Sequence, residues 1–439
     1  MSTQPLPGFR DFYPAELAFR NHIFEAWRRV AGRYGFEEFD GPPLEPLELY
    51  TAKSGDEIVG QLYNFEDKGG RKVALRPELT PTVARMIAAR AGGMKKPIRW
   101  FSIGQMFRYE RQQKGRLKEF YQLNCDLIGE PGPLADAEMI ALAIDLMRAF
   151  GLGLDAVRVR LSDRRVLQAL LRGAGVTEDH LGSAYGLIDR LERMKPEQVA
   201  EIRQDRDTRF AAGVGARILE IAALRSWPAT AAALAALPGG PEAGAPLKAT
   251  LDALDAMGLR EFVDVDLAIV RGLAYYTGTV FELFDAGRSL RAIAGGGRYD
   301  GLLHQLGGVD LPAVGFAIGD VVLGELLRER GLAPAAASAI DAFVASVTPE
   351  DYPHVLALAH SLRDAGIRVE YALREDTLGK QLKLADARQA RFAVVIGPDD
   401  RAKGEVQVKD LRAKTQVAVP SAKLPGELLA RLRLPPADG

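Results

Sequence analysis

Arg108-Tyr109-Glu110 and Arg116-Leu-Lys-Glu-Phe120 stand on either side of a short polar run, Arg111-Gln-Gln-Lys-Gly115. Side chains of these types at this spacing suit the handling of ATP, because planar guanidinium groups take phosphate oxygens with two-pronged geometry. The flanking segments, Ile98 to Tyr109 and Phe120 to Ile128, alternate like strands. Gln122, Asn124 and Asp126 therefore share one face and Tyr121, Leu123, Cys125 and Leu127 the other. The run between them is too polar for a core and has a glycine for the reversal. A solvated hairpin with surface arginines would explain the same stretch.

The elements that must hold this hairpin can be read outward from it. Phe19, Ile23, Trp27, Val30 and Tyr34 recur at helical spacing after Pro14, and Pro42-Pro43 then break the chain. A helix is expected from about Ala135 to Phe150 and a strand at Val157 to Leu161. From Ser162 to Glu261 the texture turns to alanine- and leucine-rich helical segments, interrupted by Leu237-Pro-Gly-Gly-Pro-Glu-Ala-Gly-Ala-Pro246. Strand signals return at Val263 to Val270 and Thr279 to Phe284, followed by glycine-rich Ala294 to Gly301. A second boundary is expected near Gly331 to Ala339. Beyond it, strands at Phe343 to Val347, Val369 to Ala372 and Phe392 to Ile396 alternate with helices at His354 to Ala365 and Leu378 to Ala387, a small α/β unit with a mainly parallel sheet. The expected organisation is a discontinuous core over 1–161 and 262–330, a helical insertion over 162–261 and a C-terminal domain over 331–439.

Composition narrows the function. At 439 residues the chain suggests two or three domains. Its 57 basic and 58 acidic residues cancel, so any nucleic-acid contact must be local. A single cysteine, Cys125, forbids an intrachain disulfide, and five scattered histidines show no ligand spacing, so no side-chain metal cluster is expected. With no signal-like start and no apolar stretch of about 18 residues, the expectation is a cytoplasmic protein without a membrane segment.

Phe107 to Phe120 resembles motif 2 of class II aminoacyl-tRNA synthetases, Phe-Arg-x-Glu, loop, Arg-x-x-x-Phe. The resemblance extends to histidyl-tRNA synthetases over nearly the whole chain. It runs through Gly8-Phe-Arg-Asp-Phe-Tyr-Pro14, Leu75-Arg-Pro-Glu-Leu-Thr-Pro81, Val270-Arg-Gly-Leu-Ala-Tyr-Tyr-Thr277, Gly295-Gly-Gly-Arg-Tyr-Asp-Gly301 and Gly315-Phe-Ala-Ile-Gly319. In the C-terminal part, Leu378-Gly-Lys-Gln-Leu-Lys-Leu-Ala-Asp386 and Gly404-Glu-Val-Gln-Val-Lys-Asp410 resemble the family's anticodon-binding domain. The implied fold is an α+β catalytic core, an antiparallel sheet with helices, joined to a small α/β anticodon-binding domain. The implied partners are ATP with Mg2+, L-histidine and tRNA(His), in a homodimer braced by the motif 1 region, Trp27 to Pro43 included.

The resemblance also implies roles. Activation requires the histidine carboxylate to attack the α-phosphorus of ATP, so positive charge must wait where negative charge grows. Arg108 and Arg271 match the residues beside the α-phosphate, and Arg116 the one reaching the terminal phosphates. Glu110 and Phe120 match positions that hold adenine. Glu78, Thr80, Gln122, Asp126, Tyr275 and Tyr276, with Arg108 and Arg271, match the histidine pocket. The glycines of Gly295 to Gly301 would let backbone pass close to bound histidine. Gln113, Lys380, Lys383 and Lys409 are candidates to touch tRNA. A helix-start carboxylate at Glu78 and strand packing at Tyr275-Tyr276 are the plainer alternatives.

Two positions depart from the pattern. Ala274 stands where the family has aspartate, and Val322 where motif 3, Gly-x-Glu-Arg, places an arginine on ATP. This form resembles a branch of the family that includes plant organellar members. The departures also raise an alternative, the histidine-sensing regulatory subunit of ATP phosphoribosyltransferase, although those paralogues usually lack the anticodon domain and tend to lose the motif 2 and catalytic arginines, which stand here as Arg108, Arg116 and Arg271.

Overall fold

The computed structural model describes residues 3–54, 56–109, 115–204, 209–270, 275–287, 290–334 and 339–433, the side chains at 52–58 apart. The chain forms two compact units, 1–334 and 335–439.

The strands of the first unit are β1 Glu37–Glu38, β2 Leu44–Pro46, β3 Asn64–Glu66, β4 Lys72–Leu75, β5 Ile98–Phe107, β6 Glu119–Ile128, β7 Val157–Asp163, β8 Val263–Val265, β9 Thr279–Asp285, β10 Ala294–Arg298 and β11 Ala313–Gly319. Eight of them make one sheet in the order β1-β5-β6-β11-β10-β9-β7-β8, and β2-β4-β3 make a small second sheet. Pairings inside the large sheet are antiparallel, and only the edge pairs β1/β5 and β7/β8 are parallel.

The two faces of this sheet differ because the strands alternate in phase. Leu123, Cys125 and Leu127 of β6 lie level with Ile318, Phe316 and Val314 of β11. With Phe281 and Leu283 of β9 and Val157, Val159 and Leu161 of β7 they are buried in one core with the helices Pro14–Arg33 and Pro133–Arg148. Burying such apolar surface, at about 25 cal/mol per Å², is what holds helices to sheet. Trp27 and Val30 are fully enclosed there, so the expected motif 1 helix spends its apolar face on its own unit.

Between β7 and β8 the described residues form six α-helices, Arg164–Gly173 to Gly240–Ala256. The expected interruption at 237–246 is shorter than its composition suggests, since the last of these helices starts at Gly240 and passes through Pro246. Leu247, Leu251 and Leu254 are buried along it, and that packing outweighs one missing hydrogen bond. The strand expected over 263–270 ends at Val265, where Asp266 turns the chain by accepting from Ala268 N at 3.0 Å. The glycine-rich run is itself strand β10 up to Arg298.

The second unit has β12 Ala342–Ser346, β13 Val369–Tyr371, β14 Phe392–Ile396, β15 Glu405–Asp410 and β16 Thr415–Pro420, in the order β13-β12-β14-β15-β16. The expected mainly parallel sheet is half parallel: β12 runs parallel to β13 and β14, whereas β14/β15 and β15/β16 are antiparallel. The links from β14 to β15 and from β15 to β16 are too short for the crossover of a dozen or more residues that parallel neighbours require.

Candidate active site

The uncovered face of the large sheet makes a trough. Gln122, Asn124 and Asp126 stand along β6, and the residues level with them on β11 are Gly319, Ala317 and Gly315. On β10 the matching positions are Gly295 beside Ala317 and Gly297 beside Gly315. A row of polar side chains thus borders strands with almost no side chains on that face. The emptiness is required: a methyl group on Gly315 would lie 2.3 Å from Asp126 Oδ1, and one on Gly297 2.9 Å from the Tyr276 ring.

At one end of the trough is a cavity of about 90 Å³ lined by Glu78, Thr80, Arg108, Gln122, Asn124, Asp126, Tyr275, Tyr276 and Tyr299. Asp126 is buried and accepts a hydrogen bond from the Tyr299 hydroxyl. Burial, and then the neighbouring Asp126, push the Tyr299 phenol well above its ordinary range, so it stays a donor. Tyr275 contacts both Tyr276, with ring centroids 4.8 Å apart, and Tyr299, at 6.1 Å. Asn124 Oδ1 is buried with no hydrogen-bond partner among the described residues. The loop bearing Glu78 is held by buried Arg76, whose Nε donates to Gln105 O at 2.9 Å and whose Nη1 donates to Asp40 Oδ1 at 3.0 Å and Gly41 O at 2.8 Å.

Arg108 lines this cavity and a larger one, of about 480 Å³, that continues from it. Its Nε donates to Pro77 O at 2.9 Å and its guanidinium lies 5.2 Å from the Phe120 ring centroid. Arg116 and Phe120 line the larger cavity, with Arg193, Arg291 and the carboxylates Asp189, Glu192 and Glu282. Asp189, Glu192 and Arg193 come from the segment between β7 and β8. Arg193 Nη2 is 2.6 Å from Asp189 Oδ2.

The support lies behind the sheet. Buried Arg298 of β10 donates from Nε to Asp136 Oδ1 at 3.0 Å, from Nη1 to Glu130 O at 3.1 Å and from Nη2 to Gly132 O at 3.1 Å. It ties the glycine strand to the start of the helix Pro133–Arg148. Burial pushes the Asp136 carboxyl up to about 6, against the pull of Arg298. Asp320 joins the hairpin to the N-terminal segment, accepting from Tyr121 N at 2.9 Å and from Arg10 Nη1 at 2.8 Å.

The fold therefore brings Glu78, Thr80, Arg108, Gln122, Asp126, Tyr275 and Tyr276 to one cavity, and Arg108, Arg116 and Phe120 to its neighbour. Arg271, Ala274, Glu110 and Gln113 lie outside the described residues. In the second unit Lys380 and Lys383 sit three residues apart on the helix Leu378–Ala387, with Lys380 Nζ 2.8 Å from Asp376 Oδ1. Lys409 on β15 points to the face opposite buried Val406 and Val408, the same side as that helix. No group of three His, Cys, Asp or Glu side chains that could hold a metal occurs among the described residues. Tyr299 and Arg76 sit inside sequence motifs that give them no role of their own, and no motif marks Arg193 or Arg291.

An antiparallel sheet whose bare face carries a motif 2 hairpin, a polar pocket and an arginine-lined cavity is the catalytic core of a class II aminoacyl-tRNA synthetase. The chain belongs to the histidyl-tRNA synthetase family, whose model matches residues 8–320, and an anticodon binding domain matches 341–431. It is 48% identical over 420 residues to a histidine–tRNA ligase of Opitutus terrae, covering 95% of this chain and 96% of that one. It is 38% identical over 420 residues to the chloroplastic/mitochondrial histidine–tRNA ligase of Arabidopsis thaliana, covering 95% and 85%. The crystal structure of histidyl-tRNA synthetase from Nostoc sp. PCC 7120 superposes with a TM-score of 0.83 at 26% identity, over 98% of this chain and all of the other.

Proposed function

We infer that this chain activates L-histidine with ATP and transfers it to tRNA(His), the reaction of a histidine–tRNA ligase. The observation that carries the reading is the continuity of the small polar cavity with the arginine-lined one through Arg108, since activation must bring a carboxylate to a phosphate.

In our assignment Asp126, held by Tyr299, takes the imidazole N–H, with Gln122, Glu78, Thr80 and the two tyrosines around the ammonium and ring. A pocket of acceptors rejects an apolar side chain of similar shape by leaving its buried polar groups unpaired. Arg108 faces the α-phosphate at the junction, where a guanidinium stabilises the oxygens as they gain charge. Phe120 offers its ring to adenine and Arg116 reaches toward the terminal phosphates. Arg271 and Glu110 keep the roles that the resemblance implies. Glu282, in the larger cavity, fits a magnesium ion bound chiefly through phosphate oxygens. Such an ion would screen the triphosphate.

Lys380, Lys383 and Lys409 share one side of the second unit and are assigned to the anticodon stem. Removing that unit should weaken tRNA charging more than histidine activation. We assign the protein to the cytoplasm, as a homodimer using exposed parts of the 27–43 segment such as Arg28 and Glu38, because Trp27 is enclosed. No described helix is long and apolar enough to cross a membrane.

The deciding test is histidine-dependent exchange of pyrophosphate into ATP by the purified chain. Exchange is expected. Histidine binding without exchange at saturating ATP and magnesium would reject the ligase and favour a regulatory role. The C-terminal unit and the retained Arg108 and Arg116 argue for the ligase.

A further inference from the structure

Val322 brings a hydrocarbon where a triphosphate needs charge, and the fold brings a charge to the same place from another segment. Gly115 has φ +74°, a conformation that glycine tolerates, and its bare backbone faces the start of the helix Asp320–Glu329. A methyl group built on Gly115 would lie 3.4 Å from Val322 Cγ2 and 3.8 Å from Arg291 Cδ. Val322 and Arg291 therefore converge on one point of the hairpin turn. The guanidinium of Arg291 starts one bond beyond Cδ, and Arg116 is the residue after Gly115. Both arginines line the larger cavity with Phe120 and Val322. Arg291 enters it three residues ahead of β10, the strand that floors the trough and pairs with β9 and β11.

We propose that Arg291 is a nucleotide-binding residue whose guanidinium takes the terminal phosphates of ATP beside Arg116, at the place left uncharged by Val322. This rests on the ligase reading. The chemistry favours arginine here because a fork of N–H donors matches phosphate oxygens, whereas the ammonium of lysine acts as a point charge. The role is electrostatic and positional, with no bond made or broken at Arg291.

The test compares the full-length wild type with Arg291→Ala, Arg291→Lys and the double variant Arg291→Ala/Val322→Arg. The readouts are pyrophosphate exchange and equilibrium binding of ATP, AMP and histidine. Arg291→Ala should weaken ATP binding at least tenfold and slow exchange more, while AMP and histidine bind as in the wild type. The lysine variant should fall between, and arginine at 322 should recover part of the ATP affinity. ATP affinity unchanged in Arg291→Ala, an equal loss for AMP, or a double variant no better than the single one would each overturn the proposal. A wild type that fails to exchange would count against the ligase reading alone, because the ATP-against-AMP comparison is independent of turnover.

Discussion

The two ends of the trough are built differently. At the end proposed for the amino acid, Asp126 and Tyr299 are buried and joined to each other, and Arg298, also buried, fixes the glycine strand from behind. At the end proposed for the nucleotide, Arg116, Arg193 and Arg291 arrive from three separate segments, and Arg193 is 70% exposed. A small ligand with few rotatable bonds is best recognised by groups already in place, because each side chain immobilised on binding costs about 0.5–1.5 kcal/mol. A triphosphate carries enough charge to order flexible cations. The amino-acid end should therefore show in the stability of the empty protein, and the nucleotide end only when ATP is present.

The largest effect should come from Arg298→Met, which leaves Asp136 buried without its partner and should cost about 3–5 kcal/mol in urea unfolding of the full chain. An unmoved midpoint would break the comparison at its strongest point. Next in size, Arg116→Ala should slow exchange by about 10²–10³-fold, roughly 2.7–4 kcal/mol in the barrier, with the unfolding midpoint unchanged. Loss of stability in that variant would mean that the nucleotide end is also built in advance. Tyr299→Phe removes one buried donor from Asp126 and should cost about 1–3 kcal/mol. It should raise KM for histidine and spare KM for ATP; the reverse pattern would reassign Tyr299.

A control lies outside both ends. Asp341 accepts from Arg368 N at 2.9 Å and Nη2 at 2.6 Å. Burial opposes ionisation, but those bonds and the charge of Arg368 hold the Asp341 carboxyl below its usual range. The unfolded value is about 3.9. Because the folded value is lower, its stabilisation is present above the unfolded value and is lost as pH falls through the folded one. Asp341→Asn should lower the melting temperature slightly at neutral pH, with the gap to wild type closing in acid, and exchange should be untouched throughout.

How much of this was legible depends on the range over which each signal acts. The Gln122, Asn124, Asp126 alternation states its own geometry, because a strand places every second side chain on one face. The glycine strand was harder. Gly295 to Gly297 have no β preference, and the run pairs only because β9 and β11 flank it. Arg298 reads as part of a motif, but its partner Asp136 lies 162 residues earlier, where no local pattern points to it. The meeting of Gly115, Arg291 and Val322 is equally non-local. Proline at 246 read as a break because propensity acts locally and buried leucines act across the fold.

The parallel edge pair β7/β8 is closed by a long detour, since β7 ends at Asp163 and β8 begins at Val263, with Val159 level with Val263 and Leu161 with Val265. The entropy of closing such a detour grows only with the logarithm of its length, about 0.6 kcal/mol for each doubling. Closure entropy alone would change little if this segment were halved or doubled, and what holds it in place is the packing of residues such as Leu247, Leu251 and Leu254 in the core. A change in its length would alter the wall of the larger cavity, because Asp189, Glu192 and Arg193 belong to it. The length of one chain segment is thus coupled to the lining of the larger cavity.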